Sequence, residues 1–113
     1  MNMILRLLLT AILVMLIANF LPGVYVRDFS TSVVVAVVLG LLNLFVKPIL
    51  VLFTLPVTIF TLGLFLLVIN AVIIILCTKI VEGFKVDSFW VALLFSVLLS
   101  VFQSLLFGMS KEK

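Results

Sequence analysis

Residues Lys47–Lys79 read KPILVLFTLPVTIFTLGLFLLVINAVIIILCTK, and no charge lies between the two terminal lysines. A bilayer hydrocarbon core is about 30 Å thick, and a helix crosses it with roughly 20 residues. As one helix, Pro48–Thr78 would run about 46 Å, too long for a single crossing. Pro48 and Pro56 both lie in its first third. Proline removes a backbone donor and crowds the preceding turn. The stretch is therefore expected to divide, with helix breaks at Pro48 and Pro56. Ile49–Leu55 becomes a short interfacial or re-entrant segment. A full span starts near Pro56, which a first helical turn tolerates, and ends near Cys77.

Outward from this stretch, three more uncharged apolar runs appear: Leu7–Leu21, Phe29–Val46 and Ser88–Ser110. Pro22-Gly23 reads as a turn. Arg27 and Asp28 follow it, and Lys79, Glu82, Lys85 and Asp87 gather around Gly83. The expected fold is all-α and polytopic, a single membrane domain over residues 1–113. It has four transmembrane helices at about 3–21, 30–46, 57–78 and 88–109. They form two hairpins, joined by an irregular or re-entrant connector at 47–56.

Composition leads to the same class. Of the 113 residues, 67% are apolar and 10% charged, with a mean hydropathy of +1.65. A soluble domain is about half apolar and a quarter charged, so this chain cannot coat a core against water. The net charge of +3 is small and scattered, and no basic patch carries interleaved aromatics, so no nucleic-acid partner is expected. With no histidine and one cysteine, Cys77, neither a metal site nor an intrachain disulfide is expected. All four acids lie in predicted loops or the tail, and the glycines are isolated. No catalytic constellation forms, and neither enzyme activity nor a cofactor is expected.

The apolar run after Arg6 reaches the upper limit of a signal-peptide core without a clean small-x-small cleavage site, so a retained helix is expected. With a cytoplasmic N-terminus, that side holds Arg6, Lys47, Lys111 and Lys113, and the other Arg27, Lys79 and Lys85. From this balance both termini are expected in the cytoplasm.

The second half echoes the first at an offset of sixty. Gly23 matches Gly83, Val26 matches Val86, Phe29 matches Phe89, Ala11 matches Ala71 and Asn43 matches Gln103. Both halves would start from the same side, which puts a pseudo-two-fold axis along the membrane normal.

Within the spans, small residues recur every four positions at Ala92, Ser96, Ser100, Ser104 and Gly108, with a shorter version at Ser32, Ala36 and Gly40. Four-residue spacing puts them on one helix face, where small side chains let backbones approach closely in lipid. Packing within one subunit is the first reading; assembly into a homo-oligomer is the second. The amides Asn43, Asn70 and Gln103 should face another helix or water, since a buried amide without a partner costs about a kilocalorie. They serve as interhelical bonds in one reading and as a polar cavity lining in the other. Lys47 stands alone in apolar sequence and is expected to snorkel to the headgroups, with a lipid-phosphate contact as the functional version. Membrane lipid is the expected partner; no soluble partner is expected.

Gly40-Leu-Leu-Asn43, Lys47-Pro48-Ile-Leu, Thr54-Leu-Pro56-Val-Thr58, Thr61-Leu-Gly63-Leu-Phe and Ile69-Asn70-Ala71 resemble the landmarks of a bacterial four-span, phage-holin-like family, the mycobacterial four-span phage holin superfamily. Gly83-Phe84 and Asp87-Ser-Phe89-Trp90 also fit. The resemblance implies four spans, a bacterial inner membrane as the location, and a self-associating protein that permeabilises it. The alternatives are a non-lytic accessory membrane protein and a small transporter or lipid-handling protein. The resemblance brings no catalytic residues.

Overall fold

The computed structural model describes residues 2–111, with side chains described through Gly108. Four long apolar helical segments dominate. Helix α1 is Met3–Phe20. Helix α2, Phe29–Leu41, continues through a π-helical turn, Leu42–Val46, into α3, Lys47–Phe53. A short helix α4, Leu55–Phe60, precedes α5, Phe65–Ile80, and the chain closes with α6, Phe89–Lys111. Met3–Phe20, Phe29–Phe53 and Phe89–Gly108 are each long and apolar enough to cross a membrane. Helix α5 is apolar and shorter, about 24 Å. With it the chain is a four-span membrane protein.

The helices form a closed ring: α1 packs on α2 and α6, and α5 packs on α6 and α2. The repeat governs the core. Buried residues pair at the offset of sixty: Ala11 with Ala71, Val14 with Ile74, Ile17 with Cys77, Ser32 with Ala92, Val35 with Phe95 and Leu39 with Leu99. Bulk is not shared equally. Phe84 and Phe95 stack with ring centroids 5.8 Å apart, where the first half has Val24 and Val35. The centre is thus filled by apolar side chains.

An all-α reading missed one element. The two hairpin loops pair with each other. Strand β1, Val24–Val26, runs antiparallel to β2, Phe84–Val86, with Val24 opposite Val86, Tyr25 opposite Lys85 and Val26 opposite Phe84. Two further bonds flank the ladder: Arg27 N–H donates to Gly83 O at 2.9 Å, and Asp87 N–H to Gly23 O at 2.8 Å. Every one of these contacts maps onto its counterpart when sixty is added and the strands exchanged, so the two-fold axis passes between Tyr25 and Lys85. The alternation Val-Tyr-Val and Phe-Lys-Val after a glycine was the available sequence signal. Both glycines have positive φ, 95° and 92°, which lets each loop turn from helix into strand.

Helix starts next to the ribbon are capped in parallel. Asp28 accepts from Thr31 N–H at 2.9 Å and from its hydroxyl at 2.8 Å; Ser88, its counterpart, accepts from Val91 N–H at 3.3 Å. The Thr31 amide, then its hydroxyl, hold the Asp28 carboxyl below the usual carboxylate range, and Arg27 adds a smaller pull.

The expected break at Lys47–Pro48 is corrected. The helical path continues through Pro48 to Phe53. A proline inside an α-helix would clash with the carbonyl four residues back. The π turn relieves this by widening the helix: Lys47 N–H reaches Leu42 O, five residues back. The interruptions come later. Thr54 leaves helical geometry, with ψ 14°, and its hydroxyl donates to Leu50 O at 2.7 Å. Pro56 opens only the six-residue α4, not a full span. The chain then turns at Leu62 (φ 59°) and Gly63 (φ 91°). Gly63 N–H closes on Thr58 O at 2.8 Å and Leu62 N–H on Ile59 O at 3.1 Å, the bonding of a helix-terminating Schellman motif.

Two outcomes follow. Gly83→Ala forces an L side chain into positive φ and sets its Cβ 3.1 Å from Arg27 Cβ. It should lower stability by about 1–2 kcal/mol in detergent-titrated unfolding. Gly40→Ala, helical with nothing within 4 Å, should not. Because Asp28 is depressed when folded, its contribution is present above the ordinary carboxylate value of 3.8. It is lost as pH falls through the lower folded value. Melts in an acid series should show a slope that Asp28→Ala removes.

Candidate functional site

The three membrane-embedded amides meet different fates. Gln103 Nε2 donates to Thr10 Oγ1 at 2.9 Å and ties α6 to α1. Toward the helix ends the Arg6 guanidinium lies 4.7 Å from the centre of the Phe107 ring, extending the same contact by a cation–π pair. The repeat counterparts of Thr10 and Gln103 are Asn70 and Asn43. This second pair is not bonded among the described residues. Asn70 is half-buried on α5, and Asn43 is exposed within the π turn. The corresponding turn of α6, residues 102–106, is ordinary α-helix. The widened turn imposed ahead of Pro48 is therefore where the two halves diverge, and it leaves Asn43 on the outside of the bundle. Thr10 was absent from the sequence reading; its polar match to Asn70 in the repeat was the signal that could have found it.

The small-residue stripes are split. Near the ribbon they are core: Ser32, Ala36, Ala92 and Ser96 are buried. The Ser32 and Ser96 hydroxyls turn back to donate to Phe29 O at 2.7 Å and Leu93 O at 2.8 Å. Toward the other end they lie outside: Gly40, Ser100, Ser104 and Gly108 are exposed. A Cβ added at Gly40 or Gly108 would meet nothing within 4 Å. Because α2 and α6 are related by the pseudo-two-fold axis, these open faces lie on opposite sides of the molecule.

Lys47 is half-buried and borders an open groove of about 400 Å³ with Asn43, Pro48, Val51, Leu52 and Leu55. Past the groove, α4 and its turn have no buried residue, and Phe60 and Leu62 are 89% and 93% exposed. Burying a side chain of that size away from water is worth roughly 1.5–3 kcal/mol, so lipid is the medium that suits this elbow. Thr58 Oγ1 is enclosed there with no hydrogen-bond partner among the described residues. Cys77 lies in the core with its Sγ 3.9 Å from Val35 O. Among the described residues, no group of His, Cys, Asp or Glu could hold a metal ion.

Comparison with known proteins agrees with this architecture. The family described as "Mycobacterial 4 TMS phage holin, superfamily IV" matches residues 1–105. The chain is 38% identical over 100 residues to the uncharacterized membrane protein YvlD of Bacillus subtilis, covering 88% of this chain and 84% of that one. It is 44% identical over 75 residues to an uncharacterized protein of Streptomyces coelicolor, covering 63% of this chain and 60% of that one. No solved structure matches.

A double-mutant cycle tests the one bonded amide. Thr10→Val and Gln103→Leu should each cost about 1 kcal/mol in detergent-titrated unfolding, with a coupling of about 0.6 kcal/mol. Asn43→Leu should leave the stability of the monomer unchanged.

Proposed function

The chain belongs to the mycobacterial four-transmembrane phage holin superfamily IV, and on that premise we propose that it self-associates in the bacterial inner membrane and permeabilises it. The observation that carries this reading is the pair of open faces, Gly40 with Asn43 on one side and Ser100, Ser104 and Gly108 on the other. In lipid no hydrophobic force drives helices together; close backbone packing and interhelical hydrogen bonds do. A smooth glycine–serine face supplies the first. An exposed amide at hydrocarbon depth supplies the second, because a copy of the chain can satisfy it where acyl tails cannot.

Two faces on opposite sides of one subunit let each copy hold two neighbours, so assembly grows instead of stopping at a dimer. The centre of each bundle is filled by Phe84, Phe95 and the aliphatic residues around them. A water path would therefore form between copies, not through one. The role is non-catalytic, and lipid with further copies of the chain are its partners. Arg6 and Lys47 share the end opposite the ribbon. The sequence adds Lys111 and Lys113 to that end; the Lys111 side chain and all of Lys113 lie outside the described residues. The excess of basic residues over the ribbon end supports a cytoplasmic location for both termini.

Induced expression in a bacterial host, followed with a membrane-potential dye, is the test. The native chain should collapse the potential above a threshold level. A Ser104→Leu/Gly108→Leu variant made in equal amount should delay collapse severalfold. A potential sustained at high expression of the native chain would overturn the proposal.

A further inference from the structure

The ribbon end holds six charged residues, three basic and three acidic: Arg27, Lys79, Lys85, Asp28, Glu82 and Asp87. They cancel in number but not in space. A recess of about 780 Å³ opens between the ribbon and the end of α1. Among the described residues its charged lining is Arg27 and Lys85, with no acid in the lining. Asn19 and Tyr25 add polar groups, while Met15 and Phe20 form an apolar wall. Asp28, the acid next to Arg27 in sequence, is turned to Thr31 as a helix cap. It does not border the recess.

Arg27 is held in place. Its backbone N–H bonds Gly83 O. Its side chain folds over Gly83, with Cβ, Nε and Cζ at 3.1–3.2 Å from where a Cβ would stand. The missing side chain at Gly83 is thus the seat of the guanidinium. The two-fold counterpart of this arrangement is Asp87 over Gly23, with Oδ2 at 3.4 Å. The same backbone therefore carries a seated cation on one side of the axis and a seated anion on the other. The fold's symmetry breaks in charge at this position, and it does so beside the recess.

We infer that the recess bordered by Arg27 and Lys85 binds a phosphate group, with the apolar wall of Met15 and Phe20 suited to the start of an acyl chain. A guanidinium presents a planar fork of donors that matches phosphate oxygens, and a lysine adds a mobile point charge. Asn19 offers an amide donor at the same site. The ligand chemistry is a phosphate that keeps its net negative charge; an anionic phospholipid headgroup and free phosphate both carry it, and zwitterionic phosphatidylcholine does not. This site is independent of the assembly faces, which lie toward the opposite end of the helices.

The full chain, purified in a non-ionic detergent, is titrated with dioleoyl phosphatidylglycerol, with dioleoyl phosphatidylcholine and with inorganic phosphate, and bound species are counted by native mass spectrometry. Phosphatidylglycerol should bind at one saturable site. Arg27→Gln and Lys85→Gln should each weaken it about tenfold, with circular dichroism unchanged. Lys79→Gln, at the same end but outside the recess, should have no effect. Arg27→Lys should recover part of the loss. Displacement by inorganic phosphate identifies free phosphate as a ligand of the same site; retention of lipid against it identifies the headgroup. Equal losses from Lys79→Gln and Arg27→Gln, or equal binding of phosphatidylcholine, would overturn the inference.

Discussion

The loops at the ribbon end must satisfy their backbone polar groups where water begins to thin out, and they do so with each other. The antiparallel ribbon of Val24–Val26 and Phe84–Val86, extended by the bonds from Arg27 to Gly83 and from Asp87 to Gly23, joins the two helical hairpins at one end. Its inner face presents Val24 and Phe84 to the core, so the same short strands cap the bundle and bury apolar surface. Because the pairing is its own image at an offset of sixty, it also sets the relation between the halves. Both loops lie on one side, and the axis runs along the bundle. The same arrangement sets α1 against α6 and α2 against α5, and the Thr10–Gln103 bond fastens the first of these contacts further along the helices.

A two-fold frame makes departures from symmetry informative. The core tolerates a Val-to-Phe difference at two adjacent positions because the bulk is gathered in one stack, Phe84 on Phe95. The departure at Pro48 reaches further. Its ring requires a widened turn, the widened turn carries Asn43 outward, and the symmetric partner of the Thr10–Gln103 bond is not made. A local constraint of one residue thereby leaves an amide exposed on the outside of the bundle, with no hydrogen-bond partner among the described residues. At the ribbon the departure is one of charge, Arg27 against Asp87, on an otherwise common backbone.

The surface divides along the helix axis for a related reason. Near the ribbon the helices are drawn together, and small residues there serve close packing within the chain. Away from it Gly40, Ser100, Ser104 and Gly108 lie open, while α1 and α6 stay tied through Thr10–Gln103 and Arg6–Phe107. The elbow at α4 completes this looser end, with an apolar surface suited to lipid and not to water.

The amino-acid sequence by itself determined the solvent, the four-span class and the repeat. Uncharged runs of spanning length leave no other medium in which the chain can fold, and matched glycines, valines and small residues expose the internal echo. It also marked the three amides, since an amide in an apolar run stands out by composition alone, but not Thr10, the partner of Gln103. Only the tertiary structure decided what those residues do. Ser96 and Ser104 share one stripe, yet one is core and the other surface, because burial depends on where a neighbouring helix lies and not on spacing. Gln103 and Asn43 are repeat-equivalent, yet one is bonded and the other exposed without a partner among the described residues, because a proline further along α2–α3 changes the helical register. Pairing between loops sixty residues apart is a long-range choice, and three-residue strands carry too little local signal to announce it.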